Sequence, residues 1–414
     1  MIQISKIIPG GQALGTADDG KKAFFWNALP GEIITEYNIT KRKSHFFEAI
    51  ATKIEQSSPH RVGPHDDCYL STSPWQIIDY TYELQLKQEL VVELFREHQI
   101  PISTPEIFTD YRDYHYRNKM EYALYWDNDT NQINLAFHSR GSHRKIPVTQ
   151  SSIERPELFQ RATEIITDLN NRGEEARKYQ SLLLRCNQNG KISGGLYENG
   201  KPHPIFPHLT DTILGCQYSY SPNGFFQINL PVYEMALKEI RKHVVTDNVL
   251  DLYAGVGTIG LSVARDRRLT LVECDRSAHR ELCRNCVEGV FEGSPEAGKP
   301  MISTKTPMAT GVLDAPRKNS PQAIFAKSED ALSYIVPDAT VILDPPRAGC
   351  DRKLINKLDE TKPTTIIYLS CNPATQARDV KLLLENYHIK DIKTFNFFPH
   401  TPHIENLVIL QKTC

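Results

Sequence analysis

Long apolar runs are missing from this sequence: no window approaches ~18 consecutive apolar residues, which excludes a helix that crosses a bilayer. The start, Met1-Ile2-Gln3-Ile4-Ser5-Lys6, lacks the charged-then-apolar pattern of a secretion signal. A charge excess is missing too. Against 50 Asp and Glu stand 48 Lys and Arg, a net charge of −2, so nucleic acid could be held only by local patches. The nine cysteines among 414 residues are irregularly spaced, which excludes a small secreted disulfide framework. Cys283-x-x-Cys286 has no second pair at zinc spacing, so buried apolar thiols are the expectation there. Internal repeats and coiled-coil heptads are absent. What remains is a reduced, cytoplasmic enzyme of roughly two or three domains with a sizeable core. Nothing calls for a membrane or a second subunit, and a monomer is expected.

The pattern along the chain divides it. Over 1–56, short β-rich runs (Ile2–Ile8, Lys22–Trp26, Glu32–Ile39, Phe46–Ile54) alternate with Pro9-Gly10-Gly11, Asp18-Asp19-Gly20 and Leu29-Pro30-Gly31, which reads as a small β-barrel. Phe24, Phe25 and Trp26 stand in a row, so one face fills the barrel and the other offers a ring to a base or to a neighbouring part of the protein. Residues 57–76 and 107–222 read as a central α+β domain. Within it Tyr111–Lys119 mixes aromatics with Arg112, Arg117 and Lys119, which suits single-stranded RNA or an ordinary polar edge strand. Ile77–His98 has helical spacing, and 77–106 together with 223–414 forms the third unit. There strands and helices alternate, predicting an α/β, Rossmann-like doubly wound sheet. Residues 291–321, rich in Pro, Gly, Ser, Thr and Lys, read as a mobile surface insertion.

Chemistry is concentrated at the strand ends of this third unit, where open α/β sheets bind ligands. Asn248–Tyr253 runs into Ala254-Gly255-Val256-Gly257-Thr258, a glycine turn opening a helix, and the next strand closes on Glu273, the usual place for an acid that binds ribose hydroxyls. No pyrophosphate clamp accompanies the turn, which favours S-adenosylmethionine over a dinucleotide. Leu343-Asp344-Pro345-Pro346-Arg347 is a stiffened strand end that presents Asp344, an acceptor for an amide-like N–H. Asn223-Gly224-Phe225-Phe226-Gln227-Ile228-Asn229 supplies rings and amides. Ile366–Leu369 delivers Cys371 in the turn Ser370-Cys371-Asn372-Pro373, and Glu405 precedes the last strand. A thiol paired with a positioned carboxylate is a nucleophile and base constellation.

On these motifs, together with Gly10-Gly11-Gln12, Tyr116-Arg117-Asn118-Lys119 and His403-Ile404-Glu405-Asn406, the chain resembles the S-adenosylmethionine-dependent RNA uracil-5-methyltransferases of tRNA and 23S rRNA. The resemblance implies an N-terminal TRAM barrel that binds RNA. It makes Cys371 the nucleophile, Glu405 the base and Asp344 a further catalytic-site acid. It puts Gln227, Tyr253, Gly255, Gly257, Thr258, Glu273 and Asp344 at the cofactor, with Ser328 or Glu329 reaching the adenine. Phe225 or Phe226 would hold a flipped base, and Arg117 and Lys119 would contact RNA. Many members carry a four-cysteine iron–sulfur cluster. The corresponding positions here fall near Pro64, Leu70, Ser73 and Ser151, none of which replaces a thiolate, so no cluster is expected. The barrel favours 23S rRNA over tRNA as substrate. A non-catalytic RNA-binding protein retaining the fold, and a methyltransferase of exocyclic nitrogen, are the readings from other classes. The first leaves Cys371, Glu405 and the glycine turn unexplained, the second leaves Ser-Cys-Asn-Pro unexplained.

Overall fold

The computed structural model describes residues 1–173, 178–288 and 320–413. The insertion expected at 291–321 lies, apart from its last residues, outside them.

At the N-terminus five strands close a barrel: Ile2–Ile7, Ala13–Thr16, Lys22–Trp26, Ile33–Arg42 and Phe46–Gln56. Ala13–Thr16 was not legible as a strand because it is short and contains Gly15. That glycine is required by packing, since a Cβ there would come within 2.5 Å of the Ile2 side chain. Phe25 fills the barrel at 0% exposure, and Phe24 packs edge-on against Phe46. Trp26, the ring that could have met a base, is covered from inside the protein by the Arg140 guanidinium, 4.2 Å from its centroid.

In the central part a six-stranded antiparallel sheet runs from Lys201–His203 to Lys145–Pro147, with the helix Pro156–Asn171 against it. Leu158, Ala162, Ile166 and Leu169 recur at helical spacing and are its buried face. Around Ser73 and Ser152 the chain is held by hydrogen bonds. The Asp66 carboxylate accepts from the Ser152 N–H at 3.0 Å and hydroxyl at 2.7 Å. Gln76 donates to Asp66 at 2.8 Å and to Ser73 at 2.7 Å, and its carbonyl takes the N–H groups of His65 and Asp66.

The third sheet has eight strands in the order Gln322–Phe325, Arg268–Glu273, Asn248–Leu252, Ala339–Leu343, Thr365–Ser370, Glu405–Lys412, Tyr387–Phe395 and Glu106–Phe108. The first five run parallel. Their near-continuous apolar composition follows from burial on both faces. Leu250, Val341, Ile366 and Val408 join the side that carries the helix Tyr80–Glu97 and the barrel. Val249, Ile342, Ile367 and Ile409 join the side of the helix Leu230–Lys242. Tyr387–Phe395 was not anticipated as a strand, because Lys and Asp interrupt its alternation and a bulge at Ile389/Asp391 shifts it.

Two boundaries differ from the sequence reading. The hairpin Leu209–Ile213/Cys216–Tyr220, expected within 107–222, buries Leu209, Ile213, Tyr218 and Tyr220 in the core of the third sheet. Phe108, expected in the central domain, sits on the edge strand opposite Phe395. Apolar pattern marks a strand as buried without naming the sheet it is buried against.

Candidate active site

All the parallel strands end at one edge of the sheet, and the topology decides what else arrives there. Glu405–Lys412 runs antiparallel to Thr365–Ser370, with Ser370 opposite Asn406. The antiparallel strand therefore begins where its neighbour ends, and Glu405 comes to the edge that carries Cys371. The contact is fixed from behind. Gln376 donates to the carbonyls of Tyr368 and Asn406, and its own carbonyl accepts the Asn406 amide at 2.7 Å.

A cavity of about 800 Å³ opens at this edge. Around it stand Cys371, Glu405 and Asp344, together with Gln227, Tyr253, Gly255, Thr258, Glu273, Phe225 and Phe226. Gly255 has φ +57 and open space where a Cβ would be, so its backbone can approach a ligand closely. Its N–H donates to Glu273 at 2.8 Å, and the other Glu273 oxygen accepts the Asp275 N–H at 2.5 Å. The carboxylate is held and keeps lone pairs for hydroxyl donors. Tyr253 leaves its strand at φ 65, a conformation sparsely populated by non-glycine residues, and its hydroxyl is in hydrogen-bonding contact with Ser328.

Other expected site residues are placed elsewhere. Gly257 does not line the cavity: a Cβ on it would lie 2.6 Å from Leu282 and 2.8 Å from Leu261, so its need is helix packing. Ser328 is buried behind Tyr253, and Glu329 lines a neighbouring cavity of about 530 Å³ that shares Tyr253. Lys119 donates to the carbonyls of Asn223 at 3.2 Å and Gly224 at 3.1 Å, so its ammonium holds the Phe225 turn and does not face outward as a phosphate contact. Buried Arg185 completes that anchor through the carbonyls of Phe226 and Gln227. Arg117 is turned onto the carbonyl of Lys119 at 2.9 Å. Phe226 is buried and stacked on Tyr220 at 3.9 Å, while Phe225 is 76% exposed at the mouth. Of the aromatics in 111–119, Tyr114 stacks between His65 and His400, Tyr116 is buried, and Tyr111 is exposed.

The charges around Cys371 are as specific as its position. Burial, with Glu405 and Asp344 adding to it, pushes the Cys371 thiol up to about 11, and the Arg347 guanidinium opposes them. Burial pushes the Asp344 carboxyl up to about 7. Glu405 is held well above the usual carboxylate range by burial and then by Asp344. Arg347 and His403 were not singled out from the sequence, although both stand inside motifs that were. Arg347 donates to His403 Nδ1 at 3.3 Å, and burial pushes that imidazole down to about 4, so it is a neutral acceptor. The Arg347 carbonyl is held by the Asn372 amide at 2.8 Å and the Thr375 hydroxyl at 3.2 Å, which ties the Asp344 loop to the Cys371 turn. Asp251 was missed as well. It is fully buried, takes the Gly260 N–H at 2.8 Å, and is pushed up to about 8 by burial. Among the described residues no group of three or more His, Cys, Asp and Glu could hold a metal ion, and no helix is long and apolar enough to cross a membrane.

Residues 329–413, which include Asp344, Cys371 and Glu405, match the family model described as tRNA (Uracil-5-)-methyltransferase. An RNA methyltransferase of Prochlorococcus marinus, itself uncharacterized, is 28% identical over 93% of this chain and 99% of its own. One of Lactobacillus johnsonii is 26% identical over 97% of this chain and 96% of its own. In fold, the chain is similar to the crystal structure of the Pyrococcus abyssi tRNA (uracil-54, C5)-methyltransferase in complex with S-adenosyl-L-homocysteine. The TM-score is 0.73 at 22% identity, covering 99% of each chain, so the likeness includes the barrel. The family model falls on the strand edge where thiol and carboxylate meet, and the chain is similar to RNA methyltransferases over nearly its whole length.

Proposed function

We propose that this protein methylates C5 of a uridine in RNA through a covalent bond between Cys371 Sγ and uracil C6, with Glu405 removing the C5 proton. The observation that carries this reading is the meeting of Cys371 and Glu405 at the edge of one cavity.

The cavity fits S-adenosylmethionine. Gly255 leaves room that a side chain would fill, Glu273 is held as an acceptor for ribose hydroxyls, and Gln227, Thr258 and Tyr253 stand around the remaining wall. When bound there, the cofactor supplies an electrophilic methyl group on a sulfonium. Uracil C5 is a poor nucleophile until C6 is attacked. The Cys371 thiolate adds to C6, and the electron pair of the C5–C6 bond becomes available at C5. Once C5 carries the methyl, its proton must leave so that the ring electrons can expel the thiolate. Glu405 is suited to that proton, because a carboxylate with raised proton affinity is a stronger base. Asp344 accepts a hydrogen bond from the uracil N–H edge, and Phe225 offers a face to a base taken out of its stack.

The RNA is proposed as 23S rRNA, on the presence of the barrel. The second reading, a tRNA uridine, is favoured by the fold likeness to the Pyrococcus abyssi tRNA enzyme, which extends through the barrel. Labelled methyl transfer to unmodified 23S rRNA and tRNA transcripts decides between them. RNA containing 5-fluorouridine tests the chemistry: fluorine cannot leave as a proton, so a protein–RNA adduct accumulates. It should form in the wild type and vanish in Cys371→Ala. An adduct in both, or in neither with any RNA, would overturn the mechanism.

A further inference from the structure

The segment 396–404 joins the last two strands, delivers Glu405 to the catalytic edge, and puts Phe398 and His403 on the cavity wall. A connection of that length has many conformations available, and outside contacts must select one. Every part of the chain contributes such a contact. From the barrel, Gly11 abuts Pro402 so closely that a Cβ on it would lie 2.2 Å from the Pro402 Cβ. Trp75 donates its backbone N–H to the His400 carbonyl at 3.0 Å and its indole N–H to the Gly11 carbonyl at 3.0 Å. From the central part, the Tyr116 hydroxyl donates to the Pro399 carbonyl at 3.0 Å, and Asp113 lies 3.2 Å from His400 Nε2. The Asn229 amide donates to the Phe397 carbonyl at 3.2 Å.

In the middle of these contacts is an ion pair that the reaction does not use. Glu83 and Lys87, on the helix Tyr80–Glu97, are 0% exposed and 2.8 Å apart. Lys87 donates to Asn396 Oδ1 at 2.6 Å and to the Phe398 carbonyl at 3.0 Å. Glu83 accepts the His400 N–H at 2.9 Å and the Asn396 amide at 3.3 Å. His400 itself sits at φ 58, a conformation the segment would not choose unaided. A fully buried ion pair is a poor way to gain stability, since apolar side chains of similar volume generally serve as well or better. What it provides here is direction: each charge reaches its partner and the segment at fixed angles.

We infer that Glu83 and Lys87 are positioning residues for the base, holding 396–404 so that Glu405 faces Cys371. The inference rests on the reading of Glu405 as base. It separates folding from catalysis, because removing both charges together leaves no unpaired charge behind.

The experiment is single-turnover methylation of RNA, reading both covalent protein–RNA complex and released methylated product, with melting curves alongside. Glu83→Leu/Lys87→Met should melt near the wild type yet release product roughly 10- to 100-fold more slowly, with methylated RNA accumulating on Cys371. Asn396→Ala removes two of the four hydrogen bonds between the pair and the segment while both charges stay paired, and should stall in the same way to a smaller extent. Wild-type release by both variants overturns the inference, provided that Glu405→Gln stalls. A wild-type protein that forms no Cys371 adduct overturns the proposed function, and this inference with it.

Discussion

Cys371 and Glu405 lie one step beyond Ser370 and Asn406, the last paired residues of two antiparallel strands. Directly opposed residues in such a ladder have Cβ atoms about 4.5–5.5 Å apart, so the register brings thiol and carboxylate to the same stretch of the cavity edge. Their chemistry is then set by what surrounds them: burial and two carboxylates against a single guanidinium.

That balance makes Arg347 the group that favours the thiolate. Removing it raises the Cys371 pKa further and lowers the thiolate fraction at neutral pH. Arg347→Met should therefore move the rising limb of adduct formation to higher pH at saturating RNA, with a roughly tenfold slower rate at pH 7. A limb at the wild-type position would remove Arg347 from the account.

Asp251 predicts a stability effect. Its folded carboxyl is pushed up to about 8 from 3.8, so the folded state holds a proton that the unfolded chain releases. Stability from this group is present below the unfolded value and is lost as pH rises through the window from about 4 to 8. Asp251→Asn has no such proton to lose. Its melting temperature relative to wild type should rise between pH 5 and pH 8, and a pH-independent difference would reject the assignment.

The two glycines of the turn should fail differently. Gly257→Ala drives a methyl into Leu261 and Leu282 at φ +90 and should cost about 1–3 kcal/mol of stability, seen as a lowered melting temperature. Gly255→Ala meets no neighbouring atom. It should keep more of its stability while raising the Kd for S-adenosylmethionine, measured by calorimetry. The same loss of stability and of affinity in both would erase the distinction.

Lysine and arginine near the mouth separate by salt dependence. Lys119 holds carbonyls, whereas Arg112 is exposed beside Tyr111. Arg112→Ala should lower the slope of log affinity against log salt by about 1. Lys119→Met should weaken RNA binding by loosening the Phe225 turn and leave that slope unchanged. A reduced slope in Lys119→Met would return that lysine to the phosphates.

The sequence by itself determined the parts whose signal is local. The run Ile366–Leu369 before Ser370-Cys371, the glycines before a helix, and Asp344 before two prolines each carry strand, turn and chemistry within a dozen residues. The barrel and the alternation of strands and helices were legible for the same reason. Long-range geometry was not. Lys119 and Gly257 stand in motifs that suggest ligands, yet their partners, 223–224 and Leu282, come from other elements. Glu405 is expected as the base only through the resemblance, and it is an antiparallel strand that puts it across from the thiol. Nothing in the sequence marks out the i,i+4 pair Glu83–Lys87, and only the tertiary structure buries it against the segment that carries Glu405. Helical spacing shows which residues share a face. What that face meets depends on contacts made across some three hundred residues of chain, |i−j| = 309 for Lys87 and Asn396, and those exist only once the chain is folded.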